Sequence, residues 1–141
     1  MKNYIDNIKD VIRSLDGSEI EDHTVDDQQM ISFQIISNEK PLSIALFHRS
    51  FEEQGQLMLQ LFTSFSPIYD EPGVDFYQVL ERLNMNSIIG HIFFSREEEI
   101  FRISYKSNCL LQLNKENENI RIFLESSFLM MDDFEKKLTV M

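Results

Sequence analysis

The sequence of 141 residues predicts a single α+β domain with the order helix, three-stranded antiparallel meander, helix, β-hairpin and C-terminal helix (α-β-β-β-α-β-β-α). In three segments, apolar residues recur every three or four positions, as they do on amphipathic helices. In the segments between them, apolar and polar residues mostly alternate, as they do on strands. Only four glycines and three prolines leave little room for a linker. We therefore expect one domain over residues 1–141, with helices covering at least one side of the sheet.

The first helix is predicted over about residues 2–16. Its apolar stripe consists of Tyr4, Ile5, Ile8, Val11, Ile12 and Leu15. Gly17 can end this helix as a C-terminal cap. The following segment, DGSEIEDHTVDD, has six carboxylates and neither lysine nor arginine, so we interpret it as a solvated connection. A metal site is the alternative, but the order of the acids matches no calcium-binding loop.

Three strands are predicted next, at residues 30–37, 42–49 and 56–65. Their connections, NEKP and SFEEQG, are short and polar, which favours an antiparallel meander. One face of these strands is predicted to form the core. Its residues are almost all aliphatic: Ile31, Phe33, Ile35, Leu42, Ile44, Leu46, Leu57, Leu59 and Leu61.

The opposite face of the meander is unusually apolar for a surface in water. Its candidate partner-binding residues are Met30, Ile36, Phe47, Met58 and Phe62. A contiguous apolar patch is typical of a docking surface, and methionine suits a surface that adapts to its partner. Two interpretations stay open: a partner docks on this face, or the third helix or a loop of the same chain covers it.

The segment SPIYDEPG, residues 66–73, is predicted to stop the meander, and a second helix follows over about residues 75–84. Two further strands, IIGHIFFS and EIFRISY, form a hairpin around the turn REEE. The first of these strands is apolar on both sides and is therefore predicted to be central or covered. The acidic turn discourages pairing with other sheets. A long third helix is predicted from about residue 117 to 137.

Composition excludes several classes of function. A net charge of −11 disfavours binding to nucleic acid and to anionic membrane surfaces. The single cysteine, Cys109, excludes an internal disulfide and fits a reducing compartment. The sequence contains neither an export signal nor an apolar run of the roughly 18 residues that a membrane span needs. We therefore expect a cytoplasmic protein.

Residues that carry catalysis or bind metals are scarce. His23, His48 and His91 lack metal-ligand spacing, and the four scattered glycines cannot form a phosphate-binding loop. No serine stands in the G-x-S-x-G pattern of a nucleophile elbow. Cys109 precedes two leucines and is interpreted as a packed thiol. The sequence thus predicts no catalytic residue, metal or cofactor, and we expect that the protein is not an enzyme.

The stretch from VLERLNMN through IIGHIFFS to IFRISYKS resembles YbjN-type domains, which share the fold of the type III secretion chaperones. The resemblance rests on Leu83 and Asn84 at a helix end, on Gly90, Ile92 and Phe94 in the next strand, and on a second strand after an acidic turn, residues 99–105. It implies a small, acidic, cytoplasmic bacterial protein without enzymatic activity, often dimeric. Secretion chaperones bind an unfolded client segment on exposed hydrophobic surfaces, whereas YbjN-type proteins are linked to bacterial regulation. The matching positions are structural.

The leading functional hypothesis is a non-enzymatic protein-binding module that receives a segment of another protein, through side-chain pockets or by strand addition. An alternative is a homodimeric structural or regulatory subunit without a client, in which the apolar face or the second helix forms the dimer interface. The third hypothesis is a small-molecule hydrolase or a ligand carrier.

Overall fold

The computed structural model describes residues 3–65, 73–113 and 116–139. In these ranges it has three helices and one six-stranded antiparallel sheet with the strand order β1-β2-β3-β4-β6-β5. The elements are α1 (Tyr4–Ser14), β1 (Ser18–Val25), β2 (Gln28–Ser37), β3 (Lys40–Phe51), β4 (Gln56–Ser64), α2 (Val74–Met85), β5 (His91–Glu97), β6 (Ile100–Gln112) and α3 (Glu116–Thr139). The α+β class and the general order of elements are confirmed. The predicted stop at residues 66–72 lies outside the described residues.

The meander has four strands, so the predicted three-stranded meander was wrong. The acidic segment that we interpreted as a connection contains β1, which pairs with β2 at one edge of the sheet. Asp26 and Asp27 have φ angles of 50° and 65° and form a two-residue hairpin turn, a conformation that aspartate tolerates. All but one of the β1 residues are exposed. Its carboxylates therefore stay in water although the backbone is paired.

Helix α1 begins and ends with identifiable caps. The Asn3 side chain accepts a 2.9 Å hydrogen bond from the Asp6 backbone N–H. At the other end, Asp16 adopts a positive φ of 64°, and the Gly17 N–H donates to the Ile12 carbonyl at 2.8 Å. Gly17 thus takes part in the cap as predicted, but the left-handed residue is Asp16. Glycine is required at 17 because a Cβ there would overlap the Ile12 side chain.

All three helices pack on the aliphatic face of the sheet, which is the core as predicted. Phe128 of α3 meets Phe33 edge-on, and Tyr4 of α1 meets His48. Phe76 of α2 contacts Phe94 in the same way. Fully buried residues of this core include Ile8, Ile12, Ile31, Leu46, Leu57, Leu59, Leu61, Ile92, Ile120 and Leu124. Of the described ranges, no helix packs on the opposite face, so the covering third helix that we considered lies elsewhere.

Strand β5 is an edge strand, so of the two alternatives predicted from its apolar composition, central or covered, the covered one is confirmed. Its Ile92 and Phe94 are covered because α2 packs over them on the core side. Phe93 points to the opposite side and is half-buried. Apolar residues on both sides of a strand therefore do not require a neighbour on both edges.

Candidate protein-binding face

We call the sheet surface opposite the helices the outer face. Strand alternation places on it all five residues predicted to bind a partner: Met30, Ile36, Phe47, Met58 and Phe62. The Ile36 side chain is 72% exposed and Met58 is 39% exposed, while the other three are half-buried. None of the five points into the core.

The pairing of strands brings four of these residues together. Met30 lies opposite Phe47 across β2 and β3, and Phe62 lies on β4 opposite Ala45. Met58 lies one strand from Arg49. Ile36 is six residues along β2 from Met30, or roughly 20 Å away, and does not join this group.

Two further residues extend the apolar group toward the β5 edge, and sequence reasoning missed both. Leu110 on β6 lies opposite Met58 and is 56% exposed. The Phe93 ring on β5 lies 6.0 Å from the Phe62 ring, centroid to centroid. Continuing the β6 alternation beyond Tyr105 would have identified Leu110. We call Met30, Phe47, Met58, Phe62, Phe93 and Leu110 the apolar band.

The outer face also carries positive charge. The outward positions of β2, β3, β4 and β6 include Arg49, Arg102 and Lys106 and no carboxylate. The Arg49 guanidinium lies 5.1 Å from the centre of the Phe51 ring. Lys106 lies between Phe62 and His91 in the sheet register. This composition contrasts with the net charge of −11 for the whole chain.

A depression of about 640 Å³ lies at the margin of the outer face. Phe47, Arg49 and Met58 line one part of it, and the turn residues Asp26 and Asp27 line another. It opens beside the last residues of β3, which extend beyond the paired part of β2. A volume of this size can accept apolar side chains of a bound segment.

The reactive side chains of the described residues are not gathered into a site. Cys109 lies opposite Leu59 on the core side, and burial raises the pKa of its thiol to about 12, so the thiol is protonated at neutral pH. His48 is buried and shares a 3.2 Å hydrogen bond with the Tyr4 hydroxyl, while burial lowers its pKa. The His23 ring shares a hydrogen bond with the Ser32 hydroxyl on the outer face. Among the described residues, no three histidine, cysteine or acidic side chains are grouped to hold a metal ion.

A second exposed apolar surface lies on α2. Val74, Tyr77 and Met85 lie on the exposed side of this helix, and Ile88, which follows it, is 95% exposed. Only Leu80 of this helix is buried. We call Val74, Tyr77, Met85 and Ile88 the α2 stripe. It is separate from the outer face because α2 packs on the core side of the sheet.

No family model and no curated protein sequence matches this chain. A helix with the length and apolarity needed to cross a membrane is absent from the described part of the chain.

Proposed function

We propose that this chain is a non-enzymatic protein-binding module whose outer face receives a segment of a partner protein. The observation that carries the proposal is the apolar band, which lies on a sheet face without a helix over it in the described ranges. Isolated apolar side chains on a protein surface need no explanation, but a contiguous group of this kind is typical of an interaction site.

The resemblance to YbjN-type domains supports a chaperone-like fold and a bacterial cytoplasmic role. In secretion chaperones of that fold, client segments lie on hydrophobic sheet and helix surfaces. The outer face offers such a surface, and the two methionines in it can adapt to different side chains. The net charge of −11 disfavours nucleic acid and anionic membranes as partners.

Serine substitutions of Phe47 and Phe62, made singly, test this proposal through thermal stability and co-purifying proteins. Both rings are half-buried on the outer face, so each change is expected to lower Tm by only a few degrees. We expect the co-purifying partner to be lost. The matched control is Leu129→Ser, because the Leu129 side chain is exposed on α3. This variant should retain the partner.

Met58→Ser keeps the test decisive if a phenylalanine variant unfolds, because the Met58 side chain is already exposed. Retention of the partner by all three outer-face variants would refute the proposal. Unfolding of both single variants, Phe47→Ser and Phe62→Ser, would show that these rings belong to the core.

The α2 stripe favours a second candidate function, a homodimeric structural or regulatory subunit without a client. Met85 and Ile88 are strongly exposed, and an isologous dimer would bury the same stripe on both copies. Light scattering coupled to size exclusion should then report a dimer that Met85→Glu converts to a monomer. A stable monomer of the unsubstituted chain would remove this candidate.

A further inference from the structure

We infer that the outer face selects an acidic segment, in which carboxylates accompany the apolar side chains that contact the apolar band. This inference rests on the proposed function and narrows the chemistry of its partner. It is based on how charge is distributed over the molecule.

The central part of the outer face is cationic in a strongly acidic chain. Its four inner strands carry three outward cations and no outward carboxylate. On the helical side, five cations form ion pairs with carboxylates. The ion pairs there are Lys9–Asp22, Arg13–Asp10, Arg121–Glu125, Lys136–Asp132 and Lys137–Asp133.

Arg49 and Lys106 have no carboxylate within ion-pair distance among the described side chains. Asp26 and Asp27 share the marginal depression with Arg49 but form no ion pair with it. A neutral apolar segment lying on the apolar band would remove water from both cations. It would offer no hydrogen-bond acceptor or opposite charge in place of that water. A segment with carboxylates would replace that water with charge-assisted hydrogen bonds.

The register of the strands sets the spacing that such a segment needs. Arg49 lies opposite Met58 and Lys106 lies opposite Phe62, so the cations are separated by four residues along the strands and two strands across. Sheet geometry puts their Cα atoms roughly 17 Å apart. In an extended segment, two carboxylates about five residues apart would reach both cations.

A second copy of this chain fits the outer face less well. An isologous dimer through this face would place the cations of both copies in one interface, where the inner strands supply no outward carboxylate to pair with them. It would also join two chains that each carry a net charge of −11. An acidic segment of a different protein brings no cations to the point of contact and carries far less negative charge than a whole second chain.

The test uses fluorescently labelled peptides of defined composition and the full chain. The acidic peptide has two aspartates about five residues apart, with alternating leucines and phenylalanines between them. The matched peptides replace both aspartates by asparagine or by lysine. A single-stranded oligonucleotide serves as a separate anionic probe. Binding is measured by fluorescence anisotropy at low and at high salt.

We expect the acidic peptide to bind about tenfold more tightly than the asparagine peptide at low salt, with the difference shrinking at high salt. Arg49→Glu and Lys106→Glu should each weaken the acidic peptide about tenfold and leave the asparagine peptide within about twofold. Lys40→Glu is the matched control. It makes the same charge change beside the β2–β3 turn, where Lys40 pairs with Ser37, and should have little effect.

Each other outcome overturns a defined part of the account. If the asparagine or lysine peptide binds as tightly as the acidic one, the inference fails while protein binding stands. If the oligonucleotide binds more tightly than any peptide, the face recognises nucleic acid and the inference fails. If no peptide binds and the serine variants of Phe47 and Phe62 lose no partner, the proposed function fails as well.

Discussion

The side-chain amide of Asn84 forms two hydrogen bonds with the backbone of Ile92. Its Nδ2 donates to the Ile92 carbonyl at 2.8 Å, and the Ile92 N–H donates to its Oδ1 at 2.7 Å. Ile92 lies on β5, so the end of α2 satisfies backbone groups that an edge strand otherwise presents to solvent or to another sheet. A helix side chain thus substitutes for a neighbouring strand at this position.

Asn84→Ala should lower the free energy of unfolding by about 1–3 kcal/mol, because a backbone donor and an acceptor lose their partners. The variant should also aggregate more readily, since the β5 edge becomes available for pairing. Asn86→Ala, two residues further along and exposed, is the control. Urea unfolding and light scattering measure both effects, and equal stability of the two variants would contradict the role of Asn84.

Gly90→Ala should be among the most damaging small substitutions. Gly90 has a φ of +75°, and a Cβ there would lie 2.5 Å from the Tyr105 hydroxyl and 2.6 Å from the Lys106 carbonyl oxygen. Backbone strain and overlap together should cost about 2–5 kcal/mol of unfolding free energy. A Cβ at position 73 would meet no other atom within 4 Å, so Gly73→Ala should change the unfolding free energy by less than about 1 kcal/mol. Similar losses in thermal or urea unfolding at both positions would refute this account.

His48 should make stability depend on pH. Burial lowers the pKa of its imidazole below the ordinary value of 6.5, and the nearby charges are Asp22, which opposes that shift, and Lys9. The unfolded chain therefore binds the proton more readily, so stability rises with pH in this range. The loss begins as pH falls through 6.5 and is complete below the lowered folded-state pKa.

His48→Gln removes this titration, and urea unfolding at about pH 7.5 and about pH 5.5 measures it. The unsubstituted chain should lose more stability than the variant between the two conditions. An equal loss in both proteins would show that His48 does not contribute.

Cys109 should react slowly with alkylating reagents. Burial raises the pKa of its thiol to about 12, so almost no thiolate exists at neutral pH. Iodoacetamide should modify the folded chain at least about tenfold more slowly than the urea-unfolded chain at the same pH. Mass spectrometry of timed samples checks this. Equal rates would mean that the side chain is accessible and ionised in the folded state.

Sequence periodicity predicted the helices and the core face well, because burial imposes a strict pattern on them. It missed β1, whose alternation is hidden by carboxylates that an exposed edge strand tolerates. It could not decide whether β5 is central or only covered, since a helix can bury one face of an edge strand as effectively as a neighbour covers a central one. Lateral position in a sheet is not encoded in the local pattern of one strand.

The candidate site was predicted in part. Alternation correctly assigned Phe47 and Phe62 to the outer face, because a single register fixes the orientation of every residue in a strand. It could not show that Ile36 lies apart from the others or that Phe93 approaches Phe62, since both depend on pairing between strands. The grouping of Arg49 with Lys106 also requires the register of three strands.

Site-specific photo-crosslinking in the native cell tests the central claim most directly. A photoreactive phenylalanine is placed at Met58 on the outer face or at Leu129 on α3, both exposed positions on opposite sides of the sheet. The account predicts a discrete adduct from Met58 that mass spectrometry assigns to one segment of another protein, and none from Leu129. Adducts from Leu129 alone, or no adduct from Met58, would contradict it.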